Sequence, residues 1–357
     1  MLKKKVLIFF SVGIGDALMT TPALQAMQTL RQDYQIDALF MNKSVADLFH
    51  RCDWFDHIHQ INFLTGSKPA AIRNVLRLRS QRYHKSIMIF PANHYLYQLV
   101  TFTIGAKERY GHRYLQGAFP DFQFLYNRSI TEDRTLHCVE ENFRLFEKSF
   151  GVKLSRDFNL SIPVGKAEQE FARLYLQKHN LEQHNLIGIH AGCDVLKNMI
   201  HKRWSAANYG NLIKRISATQ NQTRFLLFGG SAESELNREI AAYLPDKTQV
   251  VEKTSFLESA ALMQQCRLFI ANDSGLMHTA AALQLPVLAI FGPTNPTYLH
   301  PYRSEHEIVQ KNISCQPCFE YARRPLICNQ QQKYRCIREL SVEEVFAKFQ
   351  TLNNRIQ

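Results

Sequence analysis

The sequence predicts an α/β protein of two domains, each a parallel sheet wrapped by helices. Three observations carry that expectation. Strand-type and helix-type runs alternate along most of the chain. The alternation loosens at Ser161-Ile162-Pro163-Val164-Gly165 and then restarts, as at a linker. Short polar turns recur where strand-type runs end and helix-type runs begin. A length of 357 residues exceeds one ordinary core and suits two. The expected division is 1–163, 164–335 and a helical segment over 336–357.

In order, Val6–Phe10 is a wholly apolar run and reads as a buried strand. Asp16–Leu30 reads as a helix with Pro22 near its first turn, and Ile36–Phe40 as a second strand. Ala70–Arg82 has helical spacing, and Ser86–Phe90 reads as another strand. Beyond the linker, strands are expected at Leu186–His190, Arg224–Phe228, Gln249–Val251, Arg267–Ala271 and Val287–Phe291. Helices are expected at Ala206–Ile216, Glu233–Leu244, Phe256–Cys266, Thr279–Leu285 and Val342–Leu352. Two open sheets facing one another leave a cleft where strand C-terminal ends meet, and ligands bind there in such folds.

Hydrophobic residues make up 45% and charged residues 21%, a globular composition without a disorder signature. No apolar run approaches the roughly 18 residues that span a bilayer. Lys3-Lys4-Lys5 before an apolar run resembles the front of a signal peptide, but the run is short and Asp16 comes soon after it. A buried first strand and a cytoplasmic location are the better reading. Lys plus Arg number 43 against 31 Asp plus Glu, a formal charge of +12. The excess concentrates between His57 and Lys107, which holds no acid at all while carrying Lys68, Arg73, Arg77, Arg79, Arg82, Lys85 and Lys107. A one-sign stretch of this length implies an anionic partner. Nucleic acid fits the charge, but no aromatic-basic recognition module accompanies it, so none is expected.

Asn272-Asp273-Ser274-Gly275-Leu276-Met277-His278 lies between a strand-type and a helix-type run. The unpaired amides and dipole of the helix start make an anion site, with Asp273 and His278 as further polar contacts. An ordinary N-cap is the competing reading. Gly13-Ile14-Gly15-Asp16 comes after the first strand; Leu18 occupies the third glycine position of a dinucleotide fingerprint, which fails. Asp16 then reads as either a helix cap or a general base. Lys202 and Arg203 before the Ala206 helix oppose the dipole, a conflict that a bound anion relieves. Glu233, after Gly229-Gly230, suits a ribose, and Thr294, after Gly292-Pro293, suits a cap or a phosphate.

Gly-Asp-x5-Pro-Ala-Leu at 15–24, Lys-Arg-Trp at 202–204, Asn-Asp-Ser-Gly-x-x-His at 272–278 and Phe-Gly-Pro-Thr at 291–294 together resemble glycosyltransferase family 9, the bacterial lipopolysaccharide heptosyltransferases. The resemblance implies two Rossmann-like domains in the GT-B arrangement, the first binding acceptor and the second the nucleotide sugar. It implies an inverting, metal-independent transfer, typically from ADP-heptose, with no cofactor. Asp16 matches the catalytic aspartate and Lys202 the lysine facing the donor diphosphate. Gly15, Glu233, Asp273, Ser274, Gly275, His278 and Thr294 fall at donor positions. Arg73, Arg77, Arg79, Arg109 and Arg113, the last two beside His112, are the expected acceptor contacts. The segment 336–357 is expected to pack back on the first domain, as in similar transferases. The acceptor implied is an anionic lipopolysaccharide core, with peripheral attachment to the inner face of the inner membrane.

No Asp-x-Asp occurs, in keeping with metal-free departure of the diphosphate. Cys315, Cys318, Cys328 and Cys336 are expected to be reduced thiols packing a loop, with structural zinc as the second reading and disulfides, which a cytosolic location disfavours, as the third. Competing readings of the whole chain are a sugar-nucleotide epimerase or hydrolase and a non-catalytic nucleotide-sugar-binding protein.

Overall fold

A computed structural model describes residues 3–63, 66–115, 122–319 and 325–357. The chain forms two compact units, one running to Pro163 and one starting at Val164. The first contains β1 (Lys4–Phe10), β2 (Tyr34–Phe40), β3 (His57–Gln60), β4 (Lys85–Met88), β5 (Glu108–Arg113) and β6 (Arg128–Thr131). The second contains β7 (Asn185–His190), β8 (Thr223–Leu227), β9 (Thr248–Val250), β10 (Leu268–Asn272), β11 (Val287–Phe291) and β12 (His306–Gln310).

Both sheets are parallel, in the orders β3-β2-β1-β4-β5-β6 and β12-β11-β10-β7-β8-β9. Within each unit the first strand is central, and the chain winds outward from it in both directions. This is the doubly wound α/β order. The central strands are apolar on both faces because helices cover both. Val6 to Phe10 are at most 1% exposed, as are Val287 to Phe291.

Four strands escaped the sequence reading. β3, β5, β6 and β12 are edge or near-edge strands carrying residues such as His57, Glu108, Arg128 and His306, so no apolar run marks them. The expected Asp16–Leu30 helix is three pieces: Ile14–Leu18, Thr21–Ala26 and a 3₁₀ stretch, Met27–Gln32. Pro22 has no N–H to return to the Leu18 carbonyl, and the Thr21 hydroxyl supplies that bond instead at 2.7 Å.

The C-terminal segment also corrects an expectation. Its helix, Val342–Arg355, buries Val345, Phe346, Phe349 and Leu352 in the second unit's core, beside Ile213, Ile216, Leu288 and Val309. The helix has one apolar stripe, and β11, β12 and the helix Ala206–Thr219 occupy it. It is thus a core element of the second unit and not a strap on the first. Phe349→Ala should destabilise the second unit by about 3–5 kcal/mol, read from denaturant unfolding. A change within 0.5 kcal/mol, the range of ordinary surface substitutions, would contradict this packing.

Candidate active site

In the second unit, β7 and β10 are neighbours whose onward connections leave in opposite directions. Such a switch point is where open α/β sheets bind ligands. β10 ends at Asn272, and Ser274 caps the helix Gly275–Ala282, its Oγ accepting from the Met277 amide at 3.4 Å. His190, the last residue of β7, places Nδ1 2.9 Å from the same Oγ. With Oγ already accepting from Met277, the hydroxyl proton is available to the imidazole.

Asn272 fixes this edge. Its Nδ2 donates to the Ala191 carbonyl at 2.7 Å, while its Oδ1 accepts from the Trp204 amide at 3.2 Å and the Tyr209 hydroxyl at 3.1 Å. The Trp204 indole in turn donates to the Leu340 carbonyl at 2.8 Å. One fully buried amide side chain therefore ties the ends of β7 and β10 to the segment that carries Lys202.

Lys202 Nζ lies 2.8 Å from Asp273 Oδ2, and both side chains are nearly buried. Burial alone would push the Asp273 carboxyl up. The charge and hydrogen bond of Lys202 outweigh it and hold the carboxyl below its ordinary range. The two histidines respond oppositely. Burial, with Arg203 nearby, brings His190 down to about 3. Burial also brings His278 down to about 4, against the pull of Asp273. Both rings are neutral near pH 7. His278 Nδ1 and Thr294 Oγ1 are buried and lack a well-formed hydrogen bond.

Arg203 donates to the Cys193 carbonyl at 2.8 Å and to Glu233 Oε1 at 3.2 Å, and Glu233 Oε2 accepts from the Gly230 amide at 2.9 Å. Both Glu233 oxygens therefore already have a partner, and further donors must share them. Gly192 makes this possible: a Cβ there would lie 2.5 Å from Glu233 Cγ and 2.8 Å from His190 Nε2. The structure thus gathers Lys202, Glu233, Asp273, Ser274, Gly275, His278 and Thr294 in the second unit. It adds His190 and Gly192, which the sequence reading left without a role, and it pairs Arg203, expected beside an anion, with Glu233. A polar residue closing an apolar strand was the available signal for His190.

In the first unit, Gly15 and half-buried Asp16 lie in the helix Ile14–Leu18, directly after central strand β1. The dipole of that first turn favours a carboxylate. A Cβ on Gly13 would meet nothing within 4 Å, so the approach to this turn is open.

The expected acceptor arginines do not form one patch. Arg113 is exposed at the C-terminal end of β5. Arg109 is at the opposite end of that strand and donates to the Leu125 and Ala106 carbonyls at 2.8 and 3.0 Å. His112, between them, is buried against Glu141 at 2.9 Å. Arg73 and Arg77 are exposed on the helix Lys68–Ser80, while Arg79 donates to the Thr103 carbonyl at 2.9 Å. That helix runs away from the C-terminal end of β3, which puts Arg79 roughly 15 Å along it. Arg79 and Arg109 each hold backbone carbonyls in this way.

All eight cysteines are free. Among the described residues no group of three or more His, Cys, Asp or Glu is arranged to hold a metal. No helix among them is long and apolar enough to cross a membrane.

Two doubly wound parallel sheets in one chain are the GT-B-like architecture. The comparisons narrow the class. The model of glycosyltransferase family 9 (heptosyltransferase) matches residues 75–326, well over half of the chain, and the chain belongs to that family. It is 23% identical to lipooligosaccharide heptosyltransferase 2 of Campylobacter jejuni over 98% of both chains. It is 32% identical to lipopolysaccharide heptosyltransferase 2 of Escherichia coli K12 over 30% of this chain and 32% of that one. Among solved structures, E. coli ADP-heptose lps heptosyltransferase II aligns with a TM-score of 0.72 at 20% identity, over 98% of this chain and 99% of that one. A family 9 glycosyl transferase from Veillonella parvula aligns with a TM-score of 0.76 at 19% identity, over 99% and 97%. At these identities the alignments speak for the fold.

The histidine environment sets a pH dependence. The folded-state pKa values of His190 and His278 lie below the ordinary 6.5. Keeping these rings neutral therefore stabilises the second unit fully above about 6.5, and the contribution is lost as pH falls toward about 4. Melting temperature should drop over that window, and the wild-type advantage over His278→Asn should narrow with it. An advantage constant across the window would contradict the assignment.

Proposed function

We propose that the protein is an inverting, metal-independent heptosyltransferase that moves a heptose from ADP-heptose to a hydroxyl of the lipopolysaccharide inner core. The observation that carries this reading is the Lys202–Asp273 pair at the opening of the helix Gly275–Ala282, beside His190 and Ser274. A dianionic diphosphate meets there a lysine, a capped helix start and neutral imidazoles. The relatives support the sugar and the acceptor: they are lipopolysaccharide or lipooligosaccharide heptosyltransferases, one of them an ADP-heptose lps heptosyltransferase.

The second unit holds the donor. Lys202 and the first amides of the Gly275 helix take the diphosphate, Asp273 and His278 orient its polar groups, Thr294 adds a hydroxyl, and Glu233 with Arg203 serves the ribose side. The first unit supplies the base and the acceptor contacts. Asp16 takes the proton of the acceptor hydroxyl as that oxygen attacks the anomeric carbon. The bond from this carbon to the diphosphate oxygen breaks, ADP leaves, and the configuration inverts. Charge accumulating on the leaving diphosphate is met by Lys202 and helix amides already in place before the reaction. Gly15 keeps the Asp16 turn small, and Arg113 with Arg73 contacts anionic groups of the acceptor. The site works at the cytoplasmic face of the membrane that carries this acceptor.

Asp16→Asn should abolish transfer while ADP binding persists. Wild-type rates in that variant would remove Asp16 from the chemistry. Lys202→Ala, assayed with EDTA present throughout, should lose about 2–4 kcal/mol of transition-state stabilisation. Wild-type activity that EDTA eliminates and magnesium restores would contradict the metal-free mechanism.

A further inference from the structure

Two basic stretches of the sequence have no part in the proposed reaction: Lys3-Lys4-Lys5, and the end of the acid-free run from Arg82 to Lys107. In the fold they meet. β1, β2, β4 and β5 are parallel neighbours, so their first residues share one edge of the sheet. The His84 amide donates to the Lys5 carbonyl at 2.8 Å, and the Glu108 amide to the His84 carbonyl at 3.0 Å. These bonds set Lys5, the turn before β4 and the turn before β5 side by side. β1 has seven residues, so this edge lies about 20 Å from the one that carries the Asp16 turn.

A cavity of about 660 Å³ opens at this edge. Lys3, Lys4, Lys5, Arg82, His84 and Lys107 line it, with the side-chain amides of Gln35 and Gln81. Among the described residues the lining holds no carboxylate and no Phe, Tyr or Trp ring. Lys3 Nζ donates to the Arg31 carbonyl at 2.6 Å, and Lys5 Nζ to Gln81 Oε1 at 3.1 Å. Lys4, Arg82 and Lys107 have no ion pair among the described residues. The acids nearby do not balance these charges. Glu108 Oε2 is engaged by the Tyr110 hydroxyl at 2.9 Å and lies 3.5 Å from Lys85 Nζ. Asp33, whose carbonyl accepts from the Lys4 amide at 3.2 Å, is a single exposed carboxylate.

Like charges gathered around one recess repel, and solvent and salt offset this only in part. The effect reaches His84. Burial holds its imidazole below the ordinary range, and Lys4, Lys85 and Lys107 add to this against the pull of Glu108. We propose that the cavity is an anion site separate from the donor site, and that it takes an oligophosphate, free or as the tail of a nucleotide. Five cations offer charge-assisted donors to many phosphate oxygens at once, and the Gln81 amide, its oxygen held by Lys5, adds N–H groups. The volume is that of a small-molecule site and exceeds what a single phosphate fills. The lining offers no aromatic ring on which a base could stack, so recognition falls on the phosphate chain. The inference does not rest on the transferase reading.

The test is isothermal titration calorimetry of inorganic tripolyphosphate into the full chain, with ADP held saturating so that the diphosphate site of the second unit is filled. One tripolyphosphate per chain is expected. The triple variant Lys4→Gln, Arg82→Gln, Lys107→Gln should bind it at least about tenfold more weakly. That variant should keep its melting temperature and its ADP affinity. A control, Lys166→Gln, Lys178→Gln, Lys253→Gln, removes the same formal charge from exposed positions of the second unit and should bind as the wild type does. Absence of binding overturns the inference. So does equal weakening in the two variants, which would mark a response to net charge alone, and so does orthophosphate binding as tightly as tripolyphosphate. ATP distinguishes the sources. Affinity equal to that of tripolyphosphate assigns the site to the phosphate chain alone. Affinity at least about tenfold greater, and lost in the first variant, assigns it to a nucleotide's tail. Lys202→Ala should weaken ADP binding and leave tripolyphosphate binding unchanged, so the transferase reading and this one fail separately. Loss of tripolyphosphate binding in Lys202→Ala would put the ligand in the donor site and likewise overturn the inference.

Discussion

A lysine and an aspartate removed from water at the end of β10 are the constraint around which the second unit is organised. Taking two charges out of solvent is costly unless each has the other and further hydrogen bonds. Here the pair is 2.8 Å apart, and Asn272 next to it holds together the strand ends and the backbone that delivers Lys202. Burying such a pair is a weak way to gain stability, since apolar side chains of similar volume do as well or better. Its value lies in placing a positive charge beside a helix opening before any ligand arrives. Electrostatic stabilisation is most effective where the groups need no rearrangement during the reaction.

The surroundings keep that arrangement unambiguous. His190 and His278 are neutral through burial, so neither adds a positive charge that would compete with Lys202 for the Asp273 carboxylate. Gly192 lets Glu233 and His190 approach each other where any side chain would collide. Arg203 is held by the Cys193 carbonyl and Glu233, leaving Lys202 as the cation nearest Asp273. Polar groups at a strand edge thus cooperate because the backbone beneath them is fixed by buried amides and an apolar core.

Much of the fold was legible in the sequence, for a physical reason. Central parallel strands are covered on both faces, so Val6–Phe10 and Val287–Phe291 announce themselves as apolar runs. Edge strands such as β3 and β12 have mixed composition and left no such trace. The donor-side residues were legible because a strand, a polar turn and a helix succeed one another in sequence. His190 was not, because its partner Ser274 is 84 residues away. For a related reason, charge in sequence does not disclose that the Arg79 and Arg109 guanidinium groups are engaged by carbonyls. The C-terminal helix showed its apolar stripe but not which unit would receive it.

The account stands most directly on where a diphosphate binds. A crystal structure with ADP should place the pyrophosphate within hydrogen-bond distance of the first amides of the helix Gly275–Ala282 and of Lys202 Nζ. ADP bound elsewhere, with the Lys202–Asp273 pair undisturbed and that helix opening filled only by water, would contradict it.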